Sequence, residues 1–538
     1  MEITRRGFMK GVGAAGFIAM APNLVACGDD GKPLLQDPKV FIHGVASGDP
    51  LADRVIIWTR VTSPEERAQG GRTQGLLDVG TIEVAWEVSE NPEFTEIIRG
   101  DIVETDASRD YTVKVDVTGL EAGTTYYYRF MAFDEISNAG RTRTAPTGSV
   151  ENLRFAVASC ASLAHGFFNA YRALAHRDDL DAVVHLGDYI YEYGTDRYGR
   201  VRPYDPPHEI VTLEDYRRRH GQYKTDHDLQ AVHHQHPFIC VWDDHEVADN
   251  TWKDGAKNHN PEDGEGDYDD RRTAAHQAYS EWMPIRDQDD ISRIFRSFSY
   301  GSLVDLIMLD TRSWGRDLQG QLQSEERSML GADQEAWLHE QLQGSAAKWK
   351  ILGQQVMVGQ FSLDRGSNSL NGDGWDGYVH ARERLFDEIE ETPGGNVVVL
   401  TGDIHTAFAL DLVRNPFDAE LYDRETGDGS VSVEFVCTSI TSPGLPALAE
   451  FPALIQSLYE VSPHLKFADF VYKGYTLLDV TPERIHADYV AIDGIEEPTA
   501  AQTQVLQSFV VRDGAPTLVA VDAPMDERPG QPSLVPTR

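Results

Sequence analysis

The chain has 538 residues, 41% hydrophobic and 25% charged, an ordinary globular composition long enough for two or three domains. Its 48 basic and 87 acidic residues leave a net charge of −39, which repels nucleic acid and anionic headgroups at long range and excludes DNA binding. The same field repels a phosphate substrate, so a phosphate site here would need its own positive charge, for which bound cations are the natural source.

The first legible element is an address. Thr4-Arg5-Arg6-Gly7-Phe8-Met9-Lys10 resembles a twin-arginine export signal, and an apolar run follows from Gly11 to Ala21. Leu24-Val25-Ala26-Cys27 then resembles a lipoprotein cleavage box. Residues 1–26 read as a signal peptide handled by the twin-arginine translocase, Cys27 as a lipidated first residue anchoring the chain to a membrane, and 27–37 as a tether. The expected location is outside the cytoplasm, as a periplasmic, outer-membrane or cell-surface lipoprotein. No later segment approaches the apolar length that crosses a bilayer. Without Cys27 the cysteines are Cys160, Cys240 and Cys437, an odd and sparse set that forms no disulfide framework.

From Phe41 to Thr147 the pattern is all strand. Val55 to Thr59, Ile82 to Val88, Tyr111 to Val117 and Tyr126 to Phe130 are β-rich, partly alternating and punctuated by turns such as Leu120-Glu121-Ala122-Gly123. The spacing predicts a small fibronectin III-like β-sandwich over 38–148.

After residue 148 apolar strands alternate with helical stretches. Phe155 to Ala158, Ala182 to Leu186, Pro237 to Trp242, Trp349 to Gly353 and Val397 to Leu400 read as strands. Phe167 to Ala175 and Ala332 to Leu342 have helical spacing. Tyr475 to Val480 and Arg484 to Tyr489 read as a late hairpin. The expectation is a layered α/β domain over 149–500, with helices covering central sheet. Residues 501–538 are left as a C-terminal segment with a loose, proline-rich tail from Pro524.

Four of these strands end in potential metal ligands: Ser159-Cys160; Gly187-Asp188-Tyr189-Ile190-Tyr191-Glu192; Asp243-Asp244-His245-Glu246 with Asp249-Asn250; and Gly402-Asp403-Ile404-His405. A single Asp after a strand is commonly a helix cap. Loops beyond the carboxyl ends of strands converge on one crevice, however, so four clusters form a constellation. Outside it, His185 reads as a hydrogen-bonded core residue, His233-His234-Gln235-His236 as a helix end, and Asp267 to Asp270 as a solvated turn.

The order of these blocks resembles the metallophosphoesterase superfamily. The spellings Ala158-Ser159-Cys160, His185 to Tyr193, Trp242 to Val247 and Thr401 to His405 resemble its PhoD-family alkaline phosphatase and phosphodiesterase branch. Gly44 to Pro50 and Trp58-Thr59-Arg60 resemble that branch's N-terminal domain, so the likeness runs over roughly residues 40 to 495. It implies a ferric ion (Fe3+) held by Cys160, Asp188, Tyr191 and Asp403, with calcium (Ca2+) beside it. Asp188 would bridge toward calcium, while Asp244, His245, Asn250 and His405 would line the second metal and the phosphate. Superfamily relatives usually carry Asn where Asp244 stands, and Asp249 is an alternative oxygen donor to Asn250.

The implied chemistry is hydrolysis of phosphate esters by a metal-activated hydroxide, with His245 or His405 stabilising charge or protonating the leaving oxygen. No nucleophile-elbow motif offers a serine route. Phosphomonoesters come first as substrates, and diesters, including phospholipid headgroups as in phospholipase D-like relatives, second. The reading of another class is a calcium-dependent surface-binding lipoprotein without catalysis.

Overall fold

Val397–Thr401 and Trp349–Gln354 are buried at every position, the mark of strands covered on both faces. Successive residues divide between two cores, because side chains alternate across a strand. Ile351, Val398 and Leu400 join a core shared with Phe155, Val184 and Leu478 of another sheet, whereas Leu352, Val397 and Val399 join one built with Leu338, Leu342, Leu385 and Ile389. The second group lies on the helices Ala332–Gly344 and Val379–Glu391. Two sheets therefore pack face to face, with helices on the outside.

This computed structural model describes residues 39–68, 78–319, 324–362, 364, 371–445 and 452–536. The twin-arginine segment, Cys27 and the tether lie outside the described residues. Among the described residues no helix is long and apolar enough to cross a membrane.

The larger sheet has ten strands. Leu153–Ala158, Ala182–His185, Pro237–Cys240 and Val45–Gly48 run parallel at its centre. Gly474–Val480 and Arg484–Ile492 pair as the expected hairpin beside Leu153–Ala158. The second sheet has seven strands, with Val304–Met308, Trp349–Gln354, Val397–Thr401 and Ser430–Val436 parallel in its middle.

The N-terminal region differs from a free-standing sandwich. A five-stranded sheet around Ile82–Ser89 and Thr125–Ala132 does pack on a second layer, through Val84, Val88, Tyr128 and Phe130 against Val55, Ile57 and Val113. That second layer is the end of the ten-stranded sheet. Val45–Gly48 bonds in parallel to Pro237–Cys240, with Ser47 opposite Pro237 and Gly48 opposite Phe238, so the sheet runs through the boundary expected at 148. Alternation along a short strand reports which face is buried, but not which strand lies alongside.

The C-terminal segment belongs to the sheet, and the tail from Pro524, expected loose, is held at Ser533 and Val535. Thr503–Arg512 and Ala515–Val521 are the last two strands of the ten-stranded sheet. Further on, Val535 is buried with Phe94 and Tyr127, and its backbone is held at both N–H and C=O by the Gln235 amide at 3.0 and 2.7 Å. Tyr127 Oη donates to Ser533 O at 2.7 Å. The tail clasps the five-stranded sheet to the helix His227–Gln235.

Candidate metal centre

Three neighbouring parallel strands of the large sheet stop at Ala158, His185 and Cys240, and Val397–Thr401 of the other sheet stops beside them. Their outgoing loops are stitched together by backbone bonds. Cys160 N donates to Gly187 O at 3.1 Å, Ala161 N to Asp188 O at 2.8 Å, and Ile440 N to Ser159 O at 2.9 Å. Cys160, Asp188, Asn250, Asp403 and His405 all adopt left-handed backbone, with φ between 54° and 61°. Side chains held in that region cost of order 1–3 kcal/mol and cluster at functional sites. Gly187 has φ +106°, and a Cβ there would lie 2.4 Å from Asp243 Cβ. Only glycine lets the second and third clusters meet.

Three donor sets result, each with its ligand atoms within 4.8 Å of one another: Cys160, Asp188 and His405; Asp188, Asp244 and His245; Asp243, Asp244 and Asp403. Asp188 joins the first to the second, and Asp244 the second to the third. Tyr191 Oη donates to Asp188 Oδ2 at 2.8 Å and lies 3.2 Å from His405 Nε2 and 2.5 Å from Ser442 Oγ. Asn250 stands at the rim, its N–H donating to Asp244 Oδ2 at 2.7 Å, while the Asp249 carboxylate is paired with Lys257 at 2.8 Å.

The imidazoles are oriented from behind. His405 Nδ1 lies 3.0 Å from Pro443 O, a pure acceptor, so the proton sits on Nδ1 and Nε2 faces Asp188 and Tyr191 with a lone pair. His245 Nδ1 lies 2.6 Å from Glu192 Oε2, and Glu192 is held in turn by Asp249 N and Asn258 Nδ2. Glu246 accepts from the backbone N–H of Asp188, Tyr189 and Asp243, fastening two ligand loops with one carboxylate.

The sequence reading missed Arg312. It follows the strand Val304–Met308, a fifth strand end facing the same crevice, and is wholly buried. Its guanidinium donates to Asp243, to Asp403 Oδ1 at 2.7 Å and to Asp373 Oδ2 at 2.7 Å, with Asp244 Oδ2 3.6 Å away. Arg316 also donates to Asp373. Asp403 is thus shared between a donor set and an arginine. Two of the residues set aside earlier are core: His185 Nε2 meets Tyr171 Oη at 2.8 Å and His233 meets Tyr189 Oη at 2.7 Å. Asp267 to Asp270 is the start of a helix in place of a turn, with exposed Asp267 capping Tyr268–Trp282.

The electrostatics are those of an anion crowd short of positive charge. Burial pushes Asp188 and Asp243 well above the usual carboxylate range, with neighbouring carboxylates adding to the rise, and pushes Asp403 to about 7 in spite of Arg312. Burial and then Asp188 raise the Cys160 thiol and the Tyr191 phenol. Burial alone would lower His245, but Asp244, Glu192 and Asp188 hold it well above its ordinary value; burial takes His405 down to about 3. Asp188 Oδ1, Asp243 Oδ2 and Asp244 Oδ1 are buried without a hydrogen-bond partner. Orphaned carboxylate oxygens are costly, and three converging on adjoining donor sets fit a cation site. Thiol, phenol and carboxylate donors suit a high-valent ion, and the carboxylate-rich sets suit a hard divalent one.

The PhoD-like phosphatase profile matches residues 155–489, and the profile of the PhoD-like phosphatase N-terminal domain matches residues 31–146. Alkaline phosphatase D of Bacillus subtilis (strain 168) is 38% identical over 483 residues, covering 86% of this chain and 79% of that protein. A solved structure described as the structure of PhoD superposes with a TM-score of 0.80 at 36% identity, covering 91% of this chain and 94% of that one.

Proposed function

Because this chain belongs to the PhoD-like phosphatase family, and is a hydrolase of phosphate esters on that ground, we propose that it is an exported, metal-activated phosphomonoesterase carrying ferric iron and calcium. The family membership sets aside a binding protein without catalysis. The observation that carries the metal reading is Asp188, a carboxylate common to two donor sets whose Oδ1 is buried and unpaired.

Cys160, Asp188, Tyr191 and Asp403 would hold the trivalent ion, and Asp188, Asp244, Asn250 and His405 the calcium. Bound there, the cations would supply positive charge to phosphoryl oxygens and acidify a water molecule. The protein's own part is positional. Glu192 holds His245 through Nδ1, which leaves Nε2–H to donate to the leaving oxygen. The Pro443 carbonyl fixes His405 in the tautomer whose Nε2 accepts. Arg312 and Glu246 keep the ligand loops in register.

Metal analysis of the purified protein with a chromogenic phosphate monoester is the test. Calcium chelation should abolish hydrolysis by at least about 100-fold and readdition should restore it, since second-cation loss removes charge neutralisation from the transition state. Full activity after exhaustive calcium removal would take calcium out of the reaction.

Export rests on Arg5, Arg6 and the Leu24-Val25-Ala26-Cys27 box. Arg5→Lys combined with Arg6→Lys should strand a full-length precursor in the cytoplasm, seen by fractionation. Normal export of that double variant would defeat the proposal.

A further inference from the structure

Tyr198 lies in the loop after the Asp188 motif, and its ring is built into the wall of the metal centre. It stacks on Tyr191 at 5.3 Å with 23° between the planes, and on His245 at 6.1 Å with 24°. Tyr193 packs beside it at 5.0 Å, and His165 meets its ring in a T-shaped contact at 4.4 Å. Four aromatic neighbours fix the ring, so little side-chain entropy remains to be lost when its polar end is used.

That polar end is free. Five other tyrosines around the site spend their hydroxyls on the protein: Tyr189 on His233, Tyr191 on Asp188, Tyr204 on Ser162, Tyr216 on Val247 O and Tyr223 on Leu163 N. Tyr193 shares the unspent hydroxyl, but its ring contacts are with Tyr198 and His245, whereas Tyr198 also stacks on Tyr191. Among the described residues the Tyr198 hydroxyl has no hydrogen-bond partner, and it is not sealed from solvent as the orphaned carboxylate oxygens are. Its stacking on Tyr191, whose hydroxyl bonds Asp188, and on His245 puts the ring beside the donor cluster, and after burial the charges acting most strongly on it are Asp188 and then Cys160. A held ring with an unspent O–H facing a crevice built for a phosphoryl group is a donor awaiting an acceptor.

We propose that Tyr198 is a catalytic hydrogen-bond donor to a non-bridging phosphoryl oxygen. The inference rests on the phosphate occupying the proposed metal centre. The phenol stays protonated throughout: it neither attacks phosphorus nor transfers its proton, and it strengthens one hydrogen bond as charge builds on the phosphoryl oxygens. Removing a preorganised donor of this kind costs up to about 10²–10³ in kcat where water is excluded, and on the order of 10–100-fold is expected for a half-open crevice.

The test compares Tyr198→Phe, which keeps the stack, with Tyr193→Phe, whose ring packs on Tyr198 and His245 and whose phenol is raised by burial and then by Glu192 and Asp249. Tyr198→Phe should lower kcat by about 10–100-fold. Calorimetric affinity of the metal-loaded protein for inorganic phosphate should weaken several-fold. Metal content should stay at the wild-type value. Tyr193→Phe should leave all three unchanged. A Tyr198→Phe enzyme within twofold of wild type in kcat and phosphate affinity overturns the inference while leaving metal activation standing. A Tyr198→Phe enzyme that loses metal in step with activity also overturns it, since the residue would then only position Tyr191. Metal activation itself falls by the chelation experiment, which Tyr198 does not enter.

Discussion

Asp188→Asn should lower kcat/KM by at least about a thousandfold, a loss of about 4 kcal/mol in transition-state stabilisation. The side chain belongs to two of the three donor sets, it accepts the Tyr191 phenol, and its second oxygen is buried with no partner. Asparagine keeps the shape but withdraws one negative charge and turns an N–H₂ toward the donors. Bound metal should fall by at least one ion per chain. Folding should survive, because burial and the carboxylates of Asp243, Asp244 and Glu246 already disfavour a charge on Asp188 in the metal-free protein. Retention of more than a tenth of the activity with full metal content would sink the bridging role. Tyr191→Phe is a gentler change, costing about 10–100-fold in activity or metal affinity as ligand-shell substitutions do. If the phenolate binds ferric iron, it should also bleach visible absorption. Tyr189→Phe leaves that absorption alone, although it leaves buried His233 and Lys224 short of a partner and so touches stability.

Arg312→Met should destabilise the protein by about 3–5 kcal/mol, the cost of leaving a buried charge without its partner. One guanidinium serves Asp243, Asp373 and Asp403 and stands 3.6 Å from Asp244, with none of its own surface exposed. Methionine fills much of the volume and none of the charge. Arg312→Lys should fall between the two, since an ammonium cannot fork to three carboxylates. Urea unfolding of the enzyme as purified measures both. A shift within about 0.5 kcal/mol, the ordinary range for surface changes, would show that the carboxylates find compensation elsewhere.

Much of the centre was legible because parallel strands carry their functional residues at their carboxyl ends, and Cys160, Asp188, Asp244, Asp403 and His405 all stand two to four residues past such an end. Arg312 stands in an equivalent place. A lone arginine after a strand reads as a solvated cation, and nothing local shows that three carboxylates from distant segments converge on it. Tyr198 was hidden for a similar reason, lying between Arg197 and Gly199 in a loop with Asp196 and Arg200. In the fold, many strand positions came through, while strand neighbours, the late hairpin aside, did not. Val45–Gly48 is buried at every position and Thr503–Arg512 only toward its end, so neither carries an alternation that marks a face, and pairing is settled by segments far off in the sequence. Val535 is a single apolar residue in a proline-rich run, too little for any periodicity.

The seat of Val45–Gly48 between Arg54–Arg60 and Pro237–Cys240 bears on how the chain can be cut. Its hydrogen bonding reaches far along the sequence: Val45 N donates to His234 Nε2, 189 residues later. Residues 39–148 expressed alone would keep the five-stranded sheet and the layer beneath it, yet would leave one side of Val45–Gly48 bare. An exposed row of backbone N–H and C=O groups is a template for another chain. Dissection at the composition change near residue 148 would therefore produce a fragment prone to edge-to-edge aggregation, and the smallest well-behaved unit must reach at least the strand Pro237–Cys240.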